Sequence, residues 1–313
     1  MALVQLHNYP WLAESFDKLS LLYQQQRLAH ALLLSGPEGM GKFELAQLLS
    51  ASLLCKNPQA GQHCGQCKSC LLLAAGNHPD LLMLQPEGTS LGVDEIRRLT
   101  DFTQGRAQQH GHKVIIVRHA ERMTEAAANA LLKTLEEPPA GCFLLLCTAQ
   151  AQRLKPTILS RCQRWAIAPL APQALADHLA AQHSGPIADF IISFSGGAPL
   201  KSMALLQSDQ YAILDTLLQQ LFTVLLQRQP LQPMLKTLEG RTDLTLILSY
   251  LLHKFSLEQR LGAQQLQTMQ QSLIRFCRDE QQILGQNKSL AISAILSEWQ
   301  QLLAPARAQP GRR

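Results

Sequence analysis

The chain has 313 residues, of which 46% are hydrophobic and 16% charged, and its net charge is +5 at pH 7. This length allows two or three domains of ordinary globular composition. No 18-residue apolar stretch is free of polar or charged residues, and Met1–Asp17 has no basic start before an apolar block, so we expect neither a membrane span nor a secretory signal. These features predict a cytoplasmic protein. Three arginines near the C-terminus supply much of the surplus charge, so the net charge does not indicate a nucleic-acid ligand.

The first predicted elements are a helix over 11–28, a strand at Ala31–Leu34 and a helix over Phe43–Leu54. Between the strand and the second helix lies a complete G-x-x-x-x-G-K pattern. Its candidate phosphate-binding residues are Gly36, Gly39, Gly41 and Lys42. The backbone N–H groups of such a loop cradle phosphates, and the lysine reaches the β- and γ-phosphates. The next residue usually supplies a hydroxyl to Mg²⁺, but here it is Phe43. We therefore expect ATP binding to be weak or absent.

Four cysteines follow at C-x₈-C-x₂-C-x₂-C spacing: Cys55, Cys64, Cys67 and Cys70. Four thiolates fill the tetrahedral shell of Zn²⁺, so the spacing predicts a structural zinc site and not a catalytic one. The alternatives are a chance cluster of reduced cysteines and a site in which His63 replaces one ligand. The other four cysteines lie beside apolar residues and are predicted to be buried small hydrophobes: Cys142, Cys147, Cys162 and Cys277.

Strands and helices then alternate, which predicts a parallel sheet with helices on both faces. The predicted strands are 81–84, 113–117, 143–147 and 165–167, and the predicted helices are 90–102 and 125–136, the latter capped by Thr124 and stopped by Pro138-Pro139. Arg97 and Arg98 on the first of these helices could face DNA or simply solvent.

The residues that follow the predicted strand at 113–117 indicate whether the chain can hydrolyse ATP. In a working nucleotide triphosphatase this strand ends in an aspartate that binds Mg²⁺ and a glutamate that polarises the attacking water. Here the two positions hold Arg118 and His119, and Glu121 comes two residues too late. Because both metal-handling positions are lost, at Phe43 and at Arg118, we expect no ATP hydrolysis by this chain.

Pro169 and Pro172 mark a boundary after the α/β part. Residues 168–207 form a small helical unit, and from 208 the sequence is rich in Leu and Gln with no strand signal. The predicted helices there are 210–227, 231–238, 242–255, 264–284 and 289–303. An all-helical end of this kind packs on itself or on neighbouring subunits. Residues 305–313 are predicted to be a disordered tail.

Several stretches together resemble the bacterial clamp-loader subunits of the AAA+ superfamily: Leu28-Ala29-His30-Ala31, the four-cysteine insert, ANALLKTLEEPP at 128–139 and TILSRC at 157–162. The resemblance covers residues 1 to about 207 well and the rest only by layout. It implies an AAA+ P-loop domain at 1–167 with a zinc module at about 55–70, a helical lid at 168–207 and an all-α collar at 208–304.

The resemblance also implies a function. The family forms a five-subunit ring, with gamma/tau and delta subunits, that loads the sliding clamp onto primer-template DNA as part of an assembly classed as a DNA-directed DNA polymerase. In Ser160-Arg161-Cys162, the arginine of the motif would reach the γ-phosphate of ATP held by the neighbouring subunit. Leu200 stands where active members place a nucleotide-sensing arginine. The chain therefore resembles a non-hydrolysing member of the ring.

Two other functions remain open from the sequence. One is an autonomous gamma-like ATPase of replication or repair, which Phe43, Arg118 and His119 disfavour. The other is a zinc-dependent DNA-binding protein with a vestigial ATPase domain, which would bind DNA tightly with a steep salt dependence.

Overall fold

The computed structural model describes residues 3–109, 111–258, 261–282 and 288–303. The chain divides into two compact units. The first contains the chain up to Leu175 together with Gly196–Lys201, and the second contains Ala176–Ser195 and the chain from Ser202 onward. The tail predicted at 305–313 and the end of the helix predicted at 264–284 lie outside the described residues.

The first unit is built on a five-stranded sheet in the order β2-β3-β4-β1-β5, in which every neighbouring pair is parallel. The strands are β1 (Ala31–Ser35), β2 (Leu81–Leu84), β3 (Lys113–Val117), β4 (Cys142–Thr148) and β5 (Gln163–Ala166). The apolar runs of β1, β3 and β4 are typical of strands buried on both faces, whereas the edge strands β2 and β5 are partly exposed. The predicted parallel sheet is confirmed, and β1 lies inside it between β4 and β5.

Helices cover both faces of this sheet, as the sequence predicts. The helices of the first unit are α1 (Ala13–Gln24), α2 (Lys42–Leu54), α3 (Lys68–Ala74), α4 (Val93–Gln104), α5 (Glu125–Glu136) and α6 (Pro156–Leu159). Alternate residues of each strand point to opposite faces. Leu33 therefore packs in one core with residues of α4 and α5, while Leu32 packs in another with residues of α1 and α2. Each fully buried leucine contributes about 1.5–3 kcal/mol through apolar burial.

Among its described residues, the second unit contains helices joined by loops and no strand. Its helices are α8 (Phe190–Ser195), α10 (Gln210–Gln227), α11 (Gln232–Glu239), α12 (Leu244–Leu257), α13 (Ala263–Gln282) and α14 (Lys288–Leu302), and two further helices begin in the first unit, α7 (Pro172–Gln182) and α9 (Pro199–Leu206). Trp299 is fully buried and its indole N–H donates to Ser272 Oγ at 2.8 Å. The Gln-rich sequence thus supplies the polar faces of packed helices.

The structure differs from the local predictions at three places. A short helix that was not predicted, α3, begins at Lys68 inside the cysteine segment. The last strand begins at Gln163, two residues earlier than predicted, because an edge strand tolerates the polar Gln163 and Arg164. The first helix is shorter than 11–28, because a 3₁₀ turn at Pro10–Leu12 precedes it and Gln26 is left-handed, with φ of 57°.

Other local predictions are confirmed. Thr124 caps α5, since its side chain accepts a hydrogen bond from the N–H of Ala127. Three of the four scattered cysteines are buried, whereas Cys277 is only partly buried. Among the described residues, none of the helices combines the length and the apolar character needed to cross a bilayer.

Candidate functional site

The phosphate-type loop connects β1 to α2, and its glycines are required by geometry. Gly39 has φ of 82°, and a Cβ there would lie 2.7 Å from the Cβ of Lys201. Gly36 has φ of 151°, and a Cβ there would lie 2.5 Å from the carbonyl oxygen of Ile167. Only glycine adopts these positions without strain. Gly41, with φ of 83°, is the residue before the first turn of α2.

Lys42 is turned back onto its own loop. Its Nζ donates to the carbonyl oxygen of Gly36 at 2.8 Å and to that of Pro37 at 2.6 Å. Burial lowers the pKa of Lys42, and nearby anionic groups, Glu121 among them, oppose that shift. The loop therefore brings a half-buried ammonium group and the first N–H groups of α2 to the same place, which is the arrangement that favours anions.

The two positions that handle Mg²⁺ in active relatives contact each other here. The guanidinium carbon of Arg118 lies 4.1 Å from the centroid of the Phe43 ring, a cation–π contact. Arg118 also donates to Gln85 Oε1 at 3.2 Å. Both side chains line a cavity of about 230 Å³ beside the loop. An aromatic ring and a guanidinium offer no oxygen to Mg²⁺, a hard cation that needs oxygen ligands.

Glu121 lies near enough to the loop for its charge to raise the pKa of Lys42, which its position in the sequence did not suggest. Its side chain is 6% exposed, and Oε1 lies 3.6 Å from Nδ1 of His119. Its other oxygen, Oε2, is buried and has no hydrogen-bond partner. Sequence reasoning set this carboxylate aside because it does not follow the strand directly, and no sequence signal marks its burial.

Leu200 is at the loop, as the resemblance implied. Its backbone N–H donates to the carbonyl oxygen of Gly39 at 3.1 Å, and the residue lines the same cavity. The side chain is aliphatic, so it adds no positive charge to the cavity. At the far wall, Cys147 is buried, and burial raises the pKa of its thiol to about 12.

The four clustered cysteines converge on one point. Their sulfur atoms all lie within 4.8 Å of one another, and the Cys55–Cys67, Cys64–Cys70 and Cys67–Cys70 separations are 3.9, 4.0 and 3.5 Å. A tetrahedral thiolate site with metal–sulfur bonds of about 2.3 Å has sulfur–sulfur edges of about 3.8 Å. The set therefore fits a tetrahedral metal site. His63 is not in this group, so the four cysteines suffice as ligands.

Arg161 lies two residues before the start of β5 and is partly exposed. Its Nη2 lies 2.6 Å from Oε1 of Glu136, and its Nη1 donates to the carbonyl oxygen of Thr157 at 2.9 Å. Ser160 Oγ also donates to Thr157, at 3.1 Å, whereas Cys162 is buried. The motif thus directs its arginine outward and its cysteine inward.

The loop and Arg161 occupy opposite edges of the sheet. The loop follows the carboxyl end of β1, while Arg161 precedes the amino end of β5, which pairs in parallel with β1 from Leu32 opposite Gln163. The two ends of the five-residue strand β1 lie about 13 Å apart, at about 3.3 Å for each step between residues. The structure does not bring Arg161 to the phosphate loop of its own chain.

A parallel sheet whose β1 ends in a complete glycine loop at the start of a helix defines a P-loop protein with an α/β unit. The family model described as "DNA polymerase III, delta subunit" matches residues 12–171. This chain belongs to that family.

Relatives at about 40% identity agree with this assignment. A protein from Escherichia coli K12 named DNA polymerase III subunit delta' is 41% identical over 218 residues, which cover 68% of this chain and 65% of that protein. The protein of the same name from Pseudomonas aeruginosa is 42% identical over 202 residues, which cover 63% of this chain and 61% of that protein. The chain thus matches a little under two thirds of the length of these relatives.

A solved structure shares the fold. A DNA polymerase III gamma subunit-related protein from Thermotoga maritima superposes with a TM-score of 0.51 over 92% of this chain and all of that one, at 21% sequence identity.

Proposed function

We propose that this chain is the delta-prime subunit of a DNA polymerase III clamp loader, which works with gamma/tau and delta subunits to load the sliding clamp onto primed DNA. In this role it does not hydrolyse ATP but completes the ATP site of a neighbouring subunit. The observation that carries the proposal is the contact between Phe43 and Arg118. At the two positions that would hold Mg²⁺, the chain has an aromatic ring and a cation.

The lack of hydrolysis follows from charge and ligand type. Phosphoryl transfer depends on a metal ion that bridges the β- and γ-phosphates and on a group that orients the attacking nucleophile. Arg118 repels a divalent cation, and His119 stands in place of the glutamate. Lys42 and the loop amides can still attract an anion, so any nucleotide bound there is held weakly and without its metal.

The role of Arg161 follows from its position. It cannot serve its own loop, which lies at the other edge of the sheet, but it is accessible to a partner. A guanidinium supplies a fixed charge and a planar fork of donors that match a transferring phosphoryl group. A finger supplied in trans accelerates GTP hydrolysis by about 10³–10⁵ in GTPases.

The remaining parts of the chain fit the same assembly. We assign Zn²⁺ to the four cysteines, because four thiolates at this spacing are typical of a structural zinc site. We assign residues 168–207 as the lid, since Leu200 donates to Gly39 of the loop, and residues 208–304 as the collar through which subunits associate.

The test is reconstitution. We expect Arg161→Ala to leave ring assembly intact and to lower the DNA-stimulated ATP turnover of the loader, with a loss of about 10³ confined to the one ATP site that this arginine completes. The matched control is Arg153→Ala, because Arg153 is an exposed arginine of the preceding segment whose side chain donates to Gln150 Oε1 at 3.2 Å. An unchanged rate with Arg161→Ala would show that the finger assignment is wrong.

A second measurement tests the whole proposal. The purified chain alone should not turn over ATP, and a mixture of gamma/tau and delta should load the clamp poorly until this chain is added. Turnover by the chain alone that is abolished by Lys42→Ala would instead establish an autonomous ATPase.

A further inference from the structure

The proposed finger is held by a carboxylate of its own chain. Oε1 of Glu136 lies 2.6 Å from Nη2 of Arg161, and Nη1 of the same guanidinium donates to the Thr157 carbonyl oxygen. One end of the guanidinium therefore bonds to the last residue of α5 and the other to α6. In this position the side chain folds back along its own subunit.

The charge balance of this pair matters for phosphate. A guanidinium and a carboxylate at hydrogen-bond distance form a pair with no net charge, and the carboxylate itself repels a phosphoryl group. An arginine that stabilises developing negative charge must therefore exchange the carboxylate for the phosphate. Glu136 and a γ-phosphate compete for the same donors.

The pair can be broken at low cost. The side chain of Glu136 is 50% exposed and that of Arg161 is 35% exposed, so water can solvate both partners when they separate. Exposed ion pairs of this kind contribute little to folding. The contact is strong enough to bias the position of one side chain and too weak to determine the fold.

We propose that Glu136 is a positioning residue that holds Arg161 withdrawn from the neighbouring ATP site until ring closure on DNA brings the phosphate within reach. This inference rests on the proposed function, because it assigns a control element to the finger. Glu136 thus suppresses ATP turnover before DNA is bound. The opposite role, in which Glu136 stays bound and orients the finger during catalysis, predicts a change of opposite sign.

The test uses the reconstituted loader with and without primed DNA. We expect Glu136→Gln, which keeps shape but removes charge, to raise DNA-independent ATP turnover by about two- to fivefold, the range that the energy of an exposed ion pair allows. The DNA-saturated rate should change little, so the stimulation ratio falls. Glu136→Asp, which keeps the charge, should stay closer to the parent ratio.

Two further variants separate this inference from general effects. Glu137→Gln is the matched control, because Glu137 is the next residue, is exposed and forms no ion pair among those of the described residues. In the double variant Glu136→Gln, Arg161→Ala, the gain should disappear, since Glu136 acts only through Arg161.

The outcomes distinguish the two proposals. If Arg161→Ala lowers turnover while Glu136→Gln leaves the stimulation ratio unchanged or lowers both rates, the finger stands and the role of Glu136 is wrong. If the double variant keeps the gain, Glu136 acts through another group and the inference is overturned. If Arg161→Ala has no effect, both the finger assignment and the proposed role of Glu136 are wrong.

Discussion

Two regions of the first unit differ in how they treat a metal: the cysteine cluster has a full set of ligands, whereas the phosphate loop has lost the residues that would bind Mg²⁺. In the cysteine cluster, four sulfur atoms gather within 4.8 Å and point at a common centre. At the phosphate loop, the residues that would bind Mg²⁺ are replaced by Phe43 and Arg118, and these contact each other across the place where metal ligands would converge.

The difference reflects what each region needs. Of the residues from 55 to 68, only Cys55 is buried, so this segment has almost no apolar core of its own. Under the proposed zinc assignment, a metal cross-link between the cysteines holds this segment in place. The phosphate loop is held by the sheet and by α2 regardless of any ligand, because β1 and the residues of α2 lie in the main core. Loss of its metal ligands would therefore remove ATP hydrolysis, as proposed above, and leave the fold intact.

The largest effect is expected at the cysteine cluster. Cys67→Ser removes one of four ligands, so we expect zinc to be lost and the segment around 55–70 to unfold locally, since structural zinc contributes about 10–16 kcal/mol in small zinc domains. Metal analysis and limited proteolysis measure both effects. Cys277→Ser is the control, because Cys277 lies in the second unit and outside the cluster. Reduced, freshly prepared parent protein without one equivalent of metal would contradict the assignment.

A gain of function at the phosphate loop should be the next largest effect. We expect Phe43→Thr with Arg118→Asp and His119→Glu to bind ATP in a Mg²⁺-dependent way at least about tenfold more tightly than the parent, which corresponds to about 1.4 kcal/mol. Phe43→Thr alone should do less, because Arg118 would still repel the metal, and contacting residues couple by about 0.5–3 kcal/mol. Isothermal titration with and without Mg²⁺ measures the difference.

The control for that gain is Lys42→Ala in the same triple variant, which should remove nucleotide binding. Binding that survives this change, or that does not depend on Mg²⁺, would show that the nucleotide occupies another place. In that case, replacement of Phe43, Arg118 and His119 would not explain why the phosphate loop, unlike the cysteine cluster, lacks a metal site.

The smallest effect is expected for Lys42→Ala in the parent chain. The Lys42 ammonium donates to two carbonyl oxygens of its own loop, and its loss leaves these to water, so we expect about 1 kcal/mol of destabilisation. In a domain of this size that is a fall in Tm of about 2–4 °C, measurable by thermal unfolding. A fall in Tm several times larger would mean that the contacts of Lys42 stabilise the whole unit, and would contradict the view that the sheet and α2 alone hold the loop.

Much of this fold could be predicted from local pattern. The edge strand Leu81–Leu84 and the buried strand Lys113–Val117 contain continuous apolar runs, and α5 is marked at both ends by Thr124 and by Pro138. By contrast, α3 has seven residues, too few for a helical period to stand out, and β5 is an edge strand with polar positions.

The candidate sites divide in the same way. The cysteine ligands lie within 16 residues and could be predicted from their spacing. The Phe43–Arg118 contact joins residues from different parts of the chain, and the pairing of Glu136 with Arg161 depends on how α5 and α6 meet. Sequence identified three of these four residues for other reasons, but only packing shows which of them touch, and nothing in the sequence singled out Glu136.

The placement of Arg161 and the phosphate loop at opposite edges of one sheet gives the unit a direction. Under the proposed function, a neighbour that receives Arg161 must present its own nucleotide edge, so the two subunits use different surfaces and join head to tail. Such heterologous contacts form rings or open arcs and not two-fold dimers. A subunit that gives a finger at one edge and has no working site at the other would stand at the end of a series of ATP sites, so its location in the ring follows from the polarity of its sheet.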